Sequence, residues 1–231
     1  MKILLAPSER KTNGGDFPPI NKDSFIFPEI YKKRVEIVKK YDEFLQKNTD
    51  TKNFGDDKSS VFIRPTKKAV LRYSGVAFEY LDYPSLDKES QNYIDDNLFI
   101  FSNLFGVISA KDLIPFYTLK QGAKPGFDIY KAHKEIFTPI LDKINENEEF
   151  IDLRAKFYEK IYKPKNAVTF KFIKNGKIVS HFAKAYRGRL TRIIAVNKPS
   201  NINELLKINF PDIKIIEITE KKGIREIVCE I

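Results

Sequence analysis

The stretch VTFKFIKNGKIVSHFAK, residues 168–184, carries the local pattern that decides the fold class. Val168, Phe170 and Phe172 alternate with polar positions, the two-residue period of a half-buried strand. Asn175-Gly176 follows, a pair that accepts positive φ at both positions and so closes a type I′ turn. A β-hairpin is predicted. Directly after it, Ala183 to Val196 reads as a helix with Leu190, Ile193 and Ile194 facing inward and Lys184, Arg187, Arg189 and Arg192 spread over its other faces.

Working outward, Lys214 to Thr219 and Ile224 to Glu230 form a second hairpin across Glu220 to Gly223. Ile3 to Ala6 and Phe150 to Leu153 read as short buried strands, and Ala69 to Tyr73 as a further one. Glu29 to Gln46, Leu86 to Asn103 and Asp128 to Ile144 place apolar residues at helical spacing, with Pro139 kinking or splitting the last. Asn48 to Ser60 is polar and predicted to be a loop. Strands and hairpins interleaved with helices give an α+β (mixed α/β) class. The expectation is one compact domain over residues 1–231, with a central mixed sheet, antiparallel hairpins and surrounding helices.

Charge is distributed unevenly. The net charge is +10, with 41 basic and 31 acidic residues. Between Lys160 and Asn203 there are eleven Lys or Arg residues and no Asp or Glu. Uniform codon bias toward lysine would not confine the surplus to one segment. A polyanion, nucleic acid above all, is the expected partner, a solvated basic face being the alternative. Within the segment Lys184, Arg187, Arg189 and Arg192 are the anion-binding candidates, and Gly188 allows a backbone or phosphate to approach closely.

Other classes find little support. The one cysteine, Cys229, permits neither an intramolecular disulfide nor a cysteine-based metal site, and a reducing compartment is its natural home. The two histidines, His133 and His181, are far apart, so no metal site is expected. His133 is predicted to lie on the surface and His181, at a strand end, is a candidate for function. No cofactor fingerprint, phosphate loop or serine-nucleophile elbow occurs. The apolar run Ile3 to Ala6 is too short for a signal peptide or membrane span, so a cytoplasmic protein with no membrane partner is expected, monomeric by default.

Two further elements bear on chemistry. Phe101 to Ile114 (FSNLFGVISAKDLI) reads as a helix, a turn at Gly106 and a second apolar segment, like a helix-hairpin-helix whose turn amides contact a phosphate. Asp152 and Arg154 follow a buried strand and either pair locally or face a cleft. Ser8, Lys11, Asp152, His181 and Lys184 all lie at strand ends, and their convergence in one cleft would favour an enzyme acting on a nucleotide-like or phosphate-bearing molecule.

Five blocks together resemble the YaaA family of bacterial peroxide-stress proteins over nearly the whole chain: Ala6 to Thr12, Val70 to Asp82, Ser102 to Gly122, Ile151 to Lys165 and Ser180 to Arg192. The resemblance implies a cytosolic DNA-binding protein with a basic cleft and a helix-hairpin-helix-like element, one that limits iron-driven damage under peroxide stress. It points to Ser8, Lys11, Tyr73, Gly106, Tyr117, Asp152, Tyr158, Lys184, Arg187, Gly188 and Arg192. No cofactor is expected, and whether any reaction is catalysed is left open. One cysteine and two separated histidines argue against direct iron sequestration, so holding DNA is the expected mode of protection.

Overall fold

The computed structural model describes residues 1–231, the side chains of Ile178, Ser180 and His181 lying outside the described set. The chain opens with β1 (Lys2–Leu5), whose Ile3, Leu4 and Leu5 are buried as in a strand covered on both faces. There follow α1 (Tyr31–Lys47), α2 (Thr51–Phe54), β2 (Thr66–Lys68), α3 (Ala69–Arg72), α4 (Val76–Leu81) and α5 (Lys88–Asn97). Next come β3 (Leu98–Ser102), β4 (Gly106–Ser109), β5 (Leu113–Pro115), α6 (Ile129–Asn145) and β6 (Phe150–Asp152). The chain continues through β7 (Ala167–Lys174), β8 (Lys177–Ile178), α7 (Ser180–Asn197), α8 (Ile202–Leu205), β9 (Lys214–Lys221) and β10 (Ile224–Glu230).

The main sheet runs β4-β3-β1-β6-β7-β10-β9, with β8 paired to β7. From β3 to β10 neighbouring strands are parallel, and β4 and β9 run antiparallel at the two edges. The class is α+β with a mixed sheet, as the sequence predicts. The hairpin of residues 168–178 forms with φ of 51° at Asn175 and 72° at Gly176, the type I′ geometry that the dipeptide selects. Cys229 on β10 is fully buried, and that burial pushes its thiol up to about 11.

Four sequence expectations are corrected. Ala69 to Tyr73 is not a strand. Ala69–Arg72 is a single helical turn whose Arg72 is fully buried, donating from Nη1 to the Thr12 carbonyl at 2.6 Å and from Nε to that of Ile114 at 3.2 Å. The helix expected to reach Asn103 stops at Asn97, because Leu98 to Phe101 are buried all round and pair with β1 and β4. Periodicity cannot separate such a fully apolar run from a helix. The polar segment Asn48 to Ser60 contains α2, whose first turn is capped by Asp50.

The fourth correction bears on function. Phe101 to Ile114 is a β-hairpin followed by β5, with no helix in it, so the helix-hairpin-helix reading of this segment fails. Gly106 is buried at the turn with φ of 71°, and an added Cβ would sit 2.1 Å from Cε2 of Phe137. The glycine is there for left-handed backbone and for contact with α6. It presents no amide to a phosphate in solvent.

Candidate functional site

Pro7 stops β1 and turns the chain out over the carboxyl ends of the sheet. β1 is where the strand order reverses, β3 lying on one side and β6 on the other. Open α/β sheets place their ligand crevices at such a switch point, beyond the carboxyl ends of the strands. A cleft of about 430 Å³ occupies that position, bounded by Ser8 and Glu9 after β1, Asn103 after β3, Ala155 after β6, and Lys184 and Arg187 on α7.

Two glycines shape it. A Cβ on Gly75 would lie 2.1 Å from Oγ of Ser8, so glycine at the start of α4 leaves room for the serine at the cleft wall. A Cβ on Gly188 would lie 2.1 Å from the Ala77 carbonyl oxygen. Gly188 thus admits a backbone, that of α4. The contact seats α7 on α4, and Arg187 and Lys184 then lie over the cleft.

The eleven-residue basic surplus divides once it is folded. Lys165 pairs with Asp142 at 3.0 Å, Arg189 with Asp212 at 3.4 Å and Lys198 with Glu89 at 3.1 Å. Arg192 donates to the carbonyls of Leu81 and Asp82, each at 2.9 Å. Acids and carbonyls distant in sequence therefore engage Arg189 and Arg192. Among the described residues Lys184 and Arg187 have no ion-pair partner, and both face the cleft. Burial lowers the pKa of Arg187, and the neighbouring Asp152 charge raises it in part.

Asp152 itself is tied to Arg154, whose Nε and Nη2 donate to its two carboxylate oxygens at 2.8 and 2.6 Å. The Arg154 guanidinium lies 4.1 Å over the Phe101 ring. This pair is scaffold, locking the end of β6. The side chain of His181 lies outside the described residues. His133 is not on the surface: it is buried on α6, its Nε2 3.2 Å from the Asn103 carbonyl, and burial lowers its pKa to about 3. A charged helix context suggests exposure, but position 133 falls on the stripe of α6 that meets β4.

Behind the cleft runs a polar chain. The Tyr73 and Tyr117 hydroxyls are 3.0 Å apart, and that of Tyr117 is 2.8 Å from Oγ of Ser102. Tyr158, which lines the cleft, donates to Oδ1 of Asn103 at 3.1 Å. Burial raises the pKa of all three tyrosines, keeping them neutral donors. Lys11 Nζ sits 4.1 Å from the Tyr117 ring centre and 5.6 Å from that of Tyr73. Burial lowers its pKa to about 7, against the opposing pull of Glu9. Of the strand-end residues read from sequence, Ser8 and Lys184 meet in the cleft, Lys11 leaves the same loop beside it, and Asp152 is committed elsewhere. Asn103 is not among the residues that the sequence singles out. It lies at the end of a strand that the sequence reads as helix, which hides its position.

The family model of the peroxide stress protein YaaA matches residues 1–217. The chain belongs to the YaaA peroxide stress family. An uncharacterized protein of Campylobacter jejuni is 49% identical over 246 aligned positions, covering 100% of this chain and 99% of its own. A UPF0246 protein of Corynebacterium glutamicum is 33% identical, with 86% of each chain covered. Another from Streptomyces coelicolor is 27% identical over 90% of this chain and 89% of its own. YaaA membership supports a role in peroxide stress. No helix among the described residues is long and apolar enough to cross a membrane.

Proposed function

We propose that this YaaA-family chain protects nucleic acid during peroxide stress by binding it, duplex DNA being the favoured ligand, with Lys184 and Arg187 as the principal phosphate contacts. One observation carries the reading: these two cations of α7 have no ion-pair partner among the described residues and lie over an open cleft. Lys174 and Lys177 on the preceding hairpin are exposed and add to the positive charge of the segment. Phosphate contacts of this kind supply affinity without sequence preference. Bound DNA would be shielded from iron-driven oxidation. In this reading residues 1–231 act as one domain, since β1 and β10 belong to one sheet.

A salt titration of duplex binding tests it. Each neutralised phosphate contributes a slope of about −0.9 in log K against log salt, and two to four contacts give roughly −2 to −4. Lys184→Glu with Arg187→Glu is expected to weaken binding at least tenfold. Unchanged affinity in the double variant would overturn the reading.

The size of the cleft favours a second reading. A volume of about 430 Å³ lies within the range of roughly 300 to 1,000 Å³ typical of small-molecule sites. An enzyme or binding protein for a nucleotide-like or phosphate-bearing molecule would use Lys184 and Arg187 for the phosphate, with Ser8 and Lys11 beside it. Calorimetry with nucleoside mono- and diphosphates separates this from polymer binding.

A further inference from the structure

We infer that the cleft takes a single unpaired nucleotide drawn out of a nucleic-acid strand, its phosphate on Lys184 and Arg187 and its strand neighbours stacked on Tyr80 and Phe182. The inference rests on the nucleic-acid reading above and names the part of the ligand that enters the site.

Three observations converge. The first is size and lining: a cleft of about 430 Å³ accepts a drug- or nucleotide-sized ligand and not a double helix, so a bound duplex can reach inside only by sending one unit in. Its walls include Leu5, Pro7, Phe78 and Leu153, apolar surfaces suited to a flat base. Its polar groups are few and placed. Asn103 spends one amide N–H on the Leu119 carbonyl at 3.0 Å and has the other to offer, while the Tyr158 hydroxyl keeps its acceptor capacity.

The second observation lies on α4 and α7, the two helices that border the cleft. Tyr80 is 44% exposed and Phe182 54% exposed, large rings left in water. Each has a cation beside it: Arg189 lies 5.6 Å from the Tyr80 ring centre and Lys174 lies 5.7 Å from that of Phe182. Tyr80 stands one helical turn beyond Val76, which lines the cleft, and Phe182 lies on the first turn of α7, the helix that brings Lys184 to it. Exposed aromatic faces interleaved with basic side chains are the arrangement on which unpaired bases stack.

The third is the division of charge. Lys184 and Arg187, without an ion-pair partner among the described residues, stand over the cleft, whereas Arg189 and Arg192, farther along α7, are engaged by Asp212 and by the end of α4. A surface meant for the outside of a duplex alone would gain nothing from placing these two charges over a crevice. Extrusion costs least where a base is already mispaired, damaged or unpaired, so such sites are preferred over intact duplex. Oxidised DNA presents them.

The test compares three probes at one salt concentration: a perfect duplex, the same duplex carrying one bulged 2-aminopurine, and 2-aminopurine mononucleotide. The expected result is at least tenfold tighter binding to the bulged duplex, with a change in 2-aminopurine emission on binding. Ala155→Trp, which fills the cleft, is expected to bring the ratio of the two duplex affinities close to one. Tyr80→Ala with Phe182→Ala is expected to lower the same ratio, giving an independent reading should the first variant fold poorly. Equal, salt-dependent binding of both duplexes with unchanged emission overturns the inference and leaves the nucleic-acid reading standing. Failure to bind either duplex overturns that reading and the inference with it, and mononucleotide binding alone assigns the cleft to a small molecule.

Discussion

The two halves of α7 carry similar charge and meet different fates. Before Gly188, Lys184 and Arg187 face an open cleft and have no ion-pair partner among the described residues. After it, Arg189 pairs with Asp212 and Arg192 closes the carbonyl end of α4. A run without acids in the sequence is not a run without acids in space. Asp82, Glu89 and Asp212, each outside the basic segment, return to offset its second half. Over the cleft itself the fold leaves two directed charges available, Lys184 and Arg187.

The largest expected effect comes from breaking the boundary between the halves. Gly188→Leu drives a side chain into the Ala77 backbone and forces α4 and α7 apart. A loss of about 3 kcal/mol is expected, the upper end of overpacking costs, read as a lowered urea midpoint. Next in size is the contrast in binding. Lys184→Glu with Arg187→Glu should cost tenfold or more in duplex affinity, whereas Arg189→Gln with Arg192→Gln should cost less than about threefold, as paired surface charges contribute little. A reversed order would put the binding face on the other half of the helix. Arg192→Ala should lower stability by about 1 kcal/mol through the loss of its carbonyl contacts, measured by thermal melting.

Smaller still is the effect of Asp82→Asn. Asp82 has φ of 45°, which asparagine tolerates, so the change removes the charge near Arg192 with little backbone cost. The salt slope of binding should steepen by no more than about 0.9, the worth of one added phosphate contact. Titration adds a final test. Lys11, lowered to about 7 in the fold and near 10.5 when unfolded, binds a proton more readily in the unfolded chain between those values. Stability should therefore rise with pH across that window, and Lys11→Met should flatten the rise. His133, lowered to about 3 from 6.5, works in the same direction at lower pH, so stability should fall as pH drops from 6.5 toward 3.

What could be read from sequence was what local chemistry decides. Asn175-Gly176 names its own turn, and α1 and α6 carry an apolar stripe long enough to be unambiguous. Lys184 and Arg187 stand out because charge clusters are visible without a fold. The misreadings share one cause, a decision made by distant neighbours. Leu98 to Phe101 become a strand because β1 and β4 lie beside them, and Arg72 turns inward because three carbonyls from other segments await it. His133 and Gly106 meet across the α6–β4 contact, which nothing within either segment announces. The cleft was half legible for the same reason: its residues were visible, its walls were not.

Cys229 carries a consequence of its own. A thiol reacts with hydrogen peroxide as the thiolate, and this one is sealed inside β10 with its proton held more firmly than usual. The chain has no second cysteine with which to form an internal disulfide. Sulfenic acid formation, the first rung of cysteine oxidation, is thus disfavoured while the fold is intact. With its one thiol sealed away, the fold offers hydrogen peroxide no reactive cysteine while it holds.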